Sequence, residues 1–380
     1  MKLDIVILII CLIISGVFPA ALYIIFPILL MYTLSLRSSI TINSLTKLYI
    51  YIVIIVLSYL FLHIIINKEL KYIFIKGFLR YFSYMAFCIY LASLSKNIFI
   101  QFFKIISLFF FLTLPLAIYQ LNSVERYQNI FMHANHFAYI LAICLYFIFK
   151  NKIFGNANFL VIIMLLFSLI LTSTSGALLL IIILLLYHYI SKSKKLFAKF
   201  IYTSTFFLLV LIGLSFSTKI VSQIDSLEYL DWDFIISKAQ TYEPGGYGSF
   251  IWRVIYWVQI LLAFLDNNTI IILFGEGIDT LTKNNYLYSF MYTDPHNDFL
   301  KIFVEFGALG LLLLLMFFLK IYRIFHRNLD YVIILAVPLF FDNMVVNWSY
   351  NMCILLFMMY YLKDIIEIKQ NEKNITKLSK

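Results

Sequence analysis

Three stretches carry residues able to do chemistry in a chain otherwise built of hydrocarbon. The first is YTDPHNDFLKIFVEFGALG, residues 292–310. Asp294 followed by Pro295 reads as an N-cap and first helical residue, which puts His296 and Asn297 in the first turn. A helix N-terminus carries roughly half a positive charge and so favours an uncharged imidazole, a ring able to accept a proton as a general base. The plainer alternative is that His296 and Asn297 only cap the helix. Asp298, Lys301 and Glu305 then follow at i, i+3 and i+7, one stripe of the same helix. A charge at the centre of a membrane span costs about 2.5–3.5 kcal/mol, so the stripe must face protein or water. Pairing among its members explains it as well as catalysis does.

The second stretch is SFIWRVIYWVQILLAFL, residues 249–265. Its apolar positions recur at helical spacing and mark an amphipathic helix lying on a membrane face. Arg253 is the one arginine between residues 217 and 297. A guanidinium keeps its charge and grips a phosphate through paired hydrogen bonds; in an acidic setting, a salt bridge is the plain alternative. GEG at 275–277 is too short for a phosphate loop and reads as a turn. The third stretch, ERYQNIFMHANHFAYIL at 125–141, offers Arg126 as a second phosphate ligand or as an interfacial anchor. His133 and His136 stand three apart, a spacing open to metal. Without a further ligand nearby they read as interfacial caps. No carboxylate cluster resembles a metal-dependent sugar-nucleotide site, so neither metal nor cofactor is expected.

These residues need a scaffold, and composition names it. The chain of 380 residues is 63% hydrophobic and 13% charged, with its apolar residues in long runs between short polar breaks. A soluble core cannot absorb so much, whereas a helix crosses a bilayer with about 20 apolar residues and satisfies its own backbone. The expected fold class is an all-α polytopic membrane protein with about twelve transmembrane helices and one large external loop. Candidate spans lie near 5–18, 20–35, 48–66, 76–95, 99–121, 134–149, 158–172, 174–190, 200–216, 298–319, 331–346 and 348–362. The chain divides accordingly into nine spans over 1–216, the loop with its amphipathic helix over 217–297, three spans over 298–362, and a cytoplasmic tail over 363–380. The N-terminal run is read as an uncleaved first span because the next apolar run follows at once. Cys11, Cys88, Cys144 and Cys353 all fall within apolar runs and read as core hydrophobes.

Charge placement orients this scaffold. The net charge of +10 is gathered in Lys192, Lys194, Lys195 and Lys199, in Lys320, Arg323 and Arg327, and in the lysine-rich tail. Short basic breaks mark the cytoplasmic side, which places both termini there and argues against nucleic acid as a partner. Residues 67–80 resist the scheme, since they should face outward yet carry Lys68, Lys71, Lys76 and Arg80. The 217–297 loop is acidic: Lys219, Lys238, Arg253 and Lys283 are outnumbered by the carboxylates running from Asp225 to Asp294. At about 80 residues it is far longer than ordinary connections. It is also too aromatic to be disordered, with Tyr242, Tyr247, Trp252, Tyr256, Trp257, Tyr286 and Tyr292.

Taken together, Arg253 on an external-loop helix, the Gly275 and Gly277 turn, Pro295, His296 and Asn297, then Glu305, Gly307 and Gly310 as E-x-G-x-x-G, resemble the bacterial O-antigen polymerase and O-antigen ligase family. The motif order agrees over about 250–315 and the hydrophobic layout over the whole chain. One departure is TSTSG at 172–176, where Ser175 stands in place of the arginine of an S-R-G pattern. The resemblance implies a membrane glycosyltransferase acting at the periplasmic face of the bacterial inner membrane on glycans linked to undecaprenyl diphosphate. In that reading Arg253 and Arg126 neutralise the departing diphosphate and His296 takes the proton of the attacking sugar hydroxyl. Asn297, Tyr247, Trp252 and Tyr292 contact substrate, and Asp294, Glu305, Gly307 and Gly310 support the site. A chain-length regulator and a flippase of the same pathway are the implied partners, beside the bilayer itself. A polymerase of surface polysaccharide repeat units is the leading expectation. A ligase to lipid A core is the alternative, and a lipid-linked glycan flippase the alternative of another class.

Overall fold

A computed structural model describes residues 2–36, 42–67, 72–117, 119–120, 127–131, 133–192, 231–241, 249–281, 287–288, 290–291 and 294–378. Among the described residues the regular elements are all helical, as expected where backbone polar groups must be satisfied within each segment. In chain order they are α1 (Lys2–Val17), α2 (Leu22–Leu36), α3 (Ser44–Asn67), α4 (Tyr72–Ser93), α5 (Lys96–Leu112), α6 (Ala134–Asn151), α7 (Asn158–Leu171), α8 (Ser175–Lys192), α9 (Trp232–Gln240), α10 (Ser249–Leu265), α11 (Thr269–Phe274), α12 (Asp298–Ile324), α13 (Asp330–Phe341) and α14 (Trp348–Leu378). The span expected over 200–216 lies outside the described residues.

Length and apolarity qualify three described stretches as membrane spans, Pro19–Leu36, Ser44–Ile65 and Asp298–Ile324. A fourth is added if α4 and α5, bent by 112° at their junction, are one broken span. The chain is thus a membrane protein whose described residues form only helices as regular structure. One expected boundary needs correction. The span expected over 331–346 stops at Phe341, because Asp342 adopts an extended backbone. Where a cytoplasmic tail is expected from residue 363, the chain continues α14 to Leu378, held where Lys363 donates to the Ala92 carbonyl (2.8 Å) and Asp364 pairs with Lys96.

Polar contacts sort the helix ends into two faces. On the face bearing His296, Ser15 meets Ser349 (2.7 Å) and Asn135 donates to Asp342 (2.7 Å). On the opposite face Lys150 pairs with Asp330 (2.8 Å) and Lys96 with Asp364. Helices α1, α5 and α13 therefore run toward the His296 face, and α4, α6, α12 and α14 run away from it. Lys320, Arg323 and Arg327 fall at the opposite face with the end of α12. Helix α6 is apolar and buried all round from Phe137 to Ile148, the mark of a central helix; α5, α7, α8 and α14 pack around it. Peripheral helices such as α2 and α7 leave Ile24, Met31, Phe159 and Leu160 exposed, surface suited to lipid.

A break in α12 shapes the His296 face. Gly307 has φ 68° and ψ −168° inside the helix, a region open essentially to glycine alone. The kink frees the carbonyls of Val304 and Glu305 from helical bonding. They accept instead from the backbone N–H groups of Glu276 (2.8 Å) and Gly277 (3.1 Å). Gly275, at φ 83° and ψ 175°, makes the approach possible: a Cβ there would collide with the Glu305 backbone, and one on Gly307 would collide with Leu273. The GEG turn is therefore the other half of the kink. Gly310 lies buried one turn on, against Phe306. Replacing either Gly275 or Gly307 by alanine should destabilise the protein by at least about 1–3 kcal/mol, seen as a lowered thermal transition in detergent, whereas Gly155→Ala, with nothing near its Cβ, should cost less.

Candidate functional site

Helix α12 begins later than its sequence suggests. Asn297, not Asp294, is the N-cap: its side-chain oxygen accepts from Leu300 N–H (3.0 Å) and the first helical residue is Asp298. Both residue types cap well. His296 decides between them by taking a left-handed φ of 50°, which no helical turn can include. His296 therefore stands just ahead of the helix rather than in its first turn. Asn297, expected to touch substrate, is occupied as the cap. Pro295 is not a first helical residue, and its carbonyl accepts from Trp257 Nε1 (2.5 Å).

The imidazole meets a partner that sequence reasoning missed. Asp342 follows the end of α13, and its Oδ1 lies 3.1 Å from His296 Nδ1. A carboxylate only accepts, so the ring donates from Nδ1, and in the neutral ring Nε2 carries the lone pair. The ring remains 30% exposed, which leaves Nε2 open to a ligand. Asp342 is otherwise enclosed: Asn135 Nδ2 donates to Oδ2 (2.7 Å) and the Asn343 backbone N–H to Oδ1 (2.9 Å). Burial works to raise its carboxyl, but the His296 hydrogen bond and charge, the Asn343 N–H and nearby His136 outweigh it and hold the group below its ordinary value. The available signal was an Asp-Asn pair inside an apolar run, which is by default a functional candidate.

Arg253 arrives at the same break from α10. Its Nη1 donates to the Phe341 carbonyl (3.3 Å), one residue before Asp342. Its Nε is buried without a partner, and among the described residues no carboxylate pairs with it. The salt bridge that was its plain alternative is not seen. Trp257, one helical turn on, reaches Pro295, so a single face of α10 touches both the end of α13 and the approach to His296. Trp252, expected to contact substrate, stacks on Tyr256 (5.5 Å, 18°) and packs toward Ile260, Phe264 and Val304. Arg126, Tyr247 and Tyr292 lie outside the described residues. Asp294 is half-buried and outside the helix.

Two further stretches join here. Thr174 of the TSTSG turn donates to Asn135 Oδ1 (3.3 Å), and Gly176 packs between Tyr139 and Phe341. His133 and His136 place their rings 5.1 Å apart, nearly perpendicular. His133 occupies the N-cap position of α6 without a side-chain cap bond, so the capping expected of it is not made. Among the described residues no three His, Cys, Asp or Glu side chains are placed to hold a metal ion.

The charged stripe of α12 turns mostly away from this site. Lys301 pairs with Glu305, donates to the Leu281 carbonyl (3.1 Å) and lies 3.7 Å from Asp279. Glu305 accepts from Leu281 N–H (3.1 Å). Arg80 closes the set with two parallel bonds of 2.7 Å to Asp279, so one of the four basic residues that resisted the orientation scheme is neutralised inside the protein. Asp298 reaches back instead, accepting from Val345 N–H (2.7 Å) and fixing the 342–347 break to α12. Lys301 and Glu305 are thus supports. Burial acts to raise the Asp279 carboxyl, but Arg80 and Lys301 prevail and hold it below its ordinary value of 3.8. The stability it contributes is therefore complete above that value and is lost as pH falls through the lowered one. Asp279→Asn should destabilise the protein by about 3–5 kcal/mol at pH 7 by stranding buried cations. It should also flatten the loss of thermal stability on titration from pH 5 to 3.

Residues 159–315 match a family model described as O-Antigen ligase. The matched range runs from α7 into α12 and contains the TSTSG turn, Arg253, the GEG turn and His296. It thus agrees with the resemblance drawn from those motifs. No curated protein matches the chain.

Proposed function

We propose, from a chain that carries an O-antigen ligase family domain over residues 159–315, that it is a membrane glycosyltransferase joining lipid-diphosphate-linked glycans. The carrying observation is the convergence of Arg253 on Phe341 and of His296 on Asp342, adjacent residues at one helix break. The hydroxyl of an acceptor sugar approaches Nε2 of His296, which takes its proton as the oxygen attacks the donor's anomeric carbon. The bond from that carbon to the diphosphate breaks, and the leaving group carries away the electron pair. Arg253, a guanidinium without a counter-ion among the described residues, neutralises the charge that develops there. Asp342 touches no reacting atom. It positions the ring and stabilises the imidazolium that forms.

Donor and location follow from the membrane setting. A polyprenyl diphosphate such as undecaprenyl diphosphate would place its phosphates at headgroup level, where a helix break at one face of the bundle can reach them. The basic residues gather at the opposite face, which supports a site on the non-cytoplasmic side of the bacterial inner membrane with both termini inside. Helices α8 and α12 both lead away from the His296 face, and with the alternation of the other described helices this supports the reading of twelve spans with an external 217–297 loop.

The polymerase remains the leading reading. The family model's own description favours a second, transfer of finished polysaccharide to lipid A core. Among the described residues the polar candidates gather at one face, which does not favour a transporter with its substrate site near mid-membrane. In a deletion strain complemented with Arg253→Ala or His296→Ala, transfer should fall by about 10²–10³-fold or more, and only single repeat units should be seen on a lipopolysaccharide gel. Full-length ladders from both variants would reject the proposal. Core without any polysaccharide, with long polymer retained on the lipid carrier, would mark the ligase.

A further inference from the structure

Asp342 is not the only neighbour of the His296 ring. The Asn343 amide nitrogen stands 3.5 Å from the same Nδ1, against 3.1 Å for Asp342 Oδ1. One ring nitrogen serves one strong hydrogen bond. The charged and nearer group takes the N–H, after which Nδ1 has no lone pair for an amide donor. The amide oxygen of Asn343 has no partner either, although the residue is only 9% exposed. A buried amide idle at both ends is a costly arrangement. Arg253 Nε, on the helix that meets the same break, is likewise buried and unpartnered.

The chemistry of the idle group identifies what completes it. A phosphate offers acceptors only and would leave the amide oxygen unsatisfied, whereas a sugar hydroxyl both donates and accepts. Neighbouring carbons of a pyranose carry hydroxyls side by side. A group next to the base therefore meets the hydroxyl beside the one that the base deprotonates. Resting on the glycosyl-transfer reading above, we propose that Asn343 binds the acceptor glycan through the hydroxyl adjacent to its nucleophile and so selects which hydroxyl reacts. The 342–343 dipeptide then divides two tasks, Asp342 orienting the base and Asn343 orienting the acceptor. The contact forms with substrate by rotation of the amide about its broad second torsion.

The test uses full-length protein in membrane vesicles, with the lipid-linked repeat unit extracted from a deletion strain as donor and acceptor. Initial rates are measured against acceptor concentration, and product linkage is read by methylation analysis. Asn343→Ala should raise the acceptor KM about tenfold, leave the pH profile of kcat in place and yield a second linkage through the adjacent hydroxyl. Asn343→Ser, which keeps a donor and an acceptor, should recover part of the KM and suppress that second linkage. If the alanine variant does not fold, the serine variant is read on the same two quantities. Wild-type KM with a single linkage in the variants would overturn the assignment, as would loss of kcat alone in both. His296→Ala run alongside separates the two claims, because full activity there would defeat the glycosyl-transfer reading itself.

Discussion

A carboxylate enclosed in an apolar helical bundle must be compensated, and the arrangement at this site follows from how Asp342 is. It takes a hydrogen bond from His296 ahead of α12, another from Asn135 on α6, and a third from the backbone of its own loop. None of these groups adjoins another along the chain. Compensation therefore fixes the relative placement of three helices, and the break between α13 and α14 becomes the point around which they are arranged. Arg253 reaches that break through a backbone carbonyl rather than through the carboxylate, which leaves its charge for something else.

A second constraint keeps the break in place. The kink at Gly307 exposes backbone acceptors that only another backbone can meet at such close range, and the turn at Gly275 provides it. The charges flanking this contact, Arg80, Asp279, Lys301 and Glu305, neutralise one another within the protein. Helix α12 thus carries two kinds of polar residue with different purposes. Lys301 and Glu305 hold the turn that docks on it, while Asp298 at its start, with His296 just ahead of it, grips the loop that contains Asp342.

Much of this was legible in the residues, and the failures have physical causes. The amphipathic helix of α10 was readable because periodicity survives averaging over a window. Arg253 and His296, which meet at one helix break, stood out as candidates because their types and settings are rare in an apolar chain. The cap at α12 was misplaced because Asp294 and Asn297 are both good caps, and a left-handed His296 cannot be inferred from composition. Asp342 was hidden by the opposite effect, since a single carboxylate disappears into the hydropathy of the run around it. Its pairing with His296 spans a separation that no local pattern encodes. Arg80, one of the four basic residues that resisted the orientation scheme, could not be read as a buried ion because its counter-ion, Asp279, lies far along the chain.

In the proposed mechanism His296 acts as a base only in concert with Asp342. A double-mutant cycle on kcat/KM for transfer measures this coupling directly, using His296→Ala, Asp342→Asn and the pair in native vesicles. If the account holds, each single change is severe and the double variant is scarcely worse than His296→Ala alone, because Asp342 works only through the ring it orients. Losses that simply multiply would show that the two residues act independently, and the mechanism drawn from their contact would be wrong.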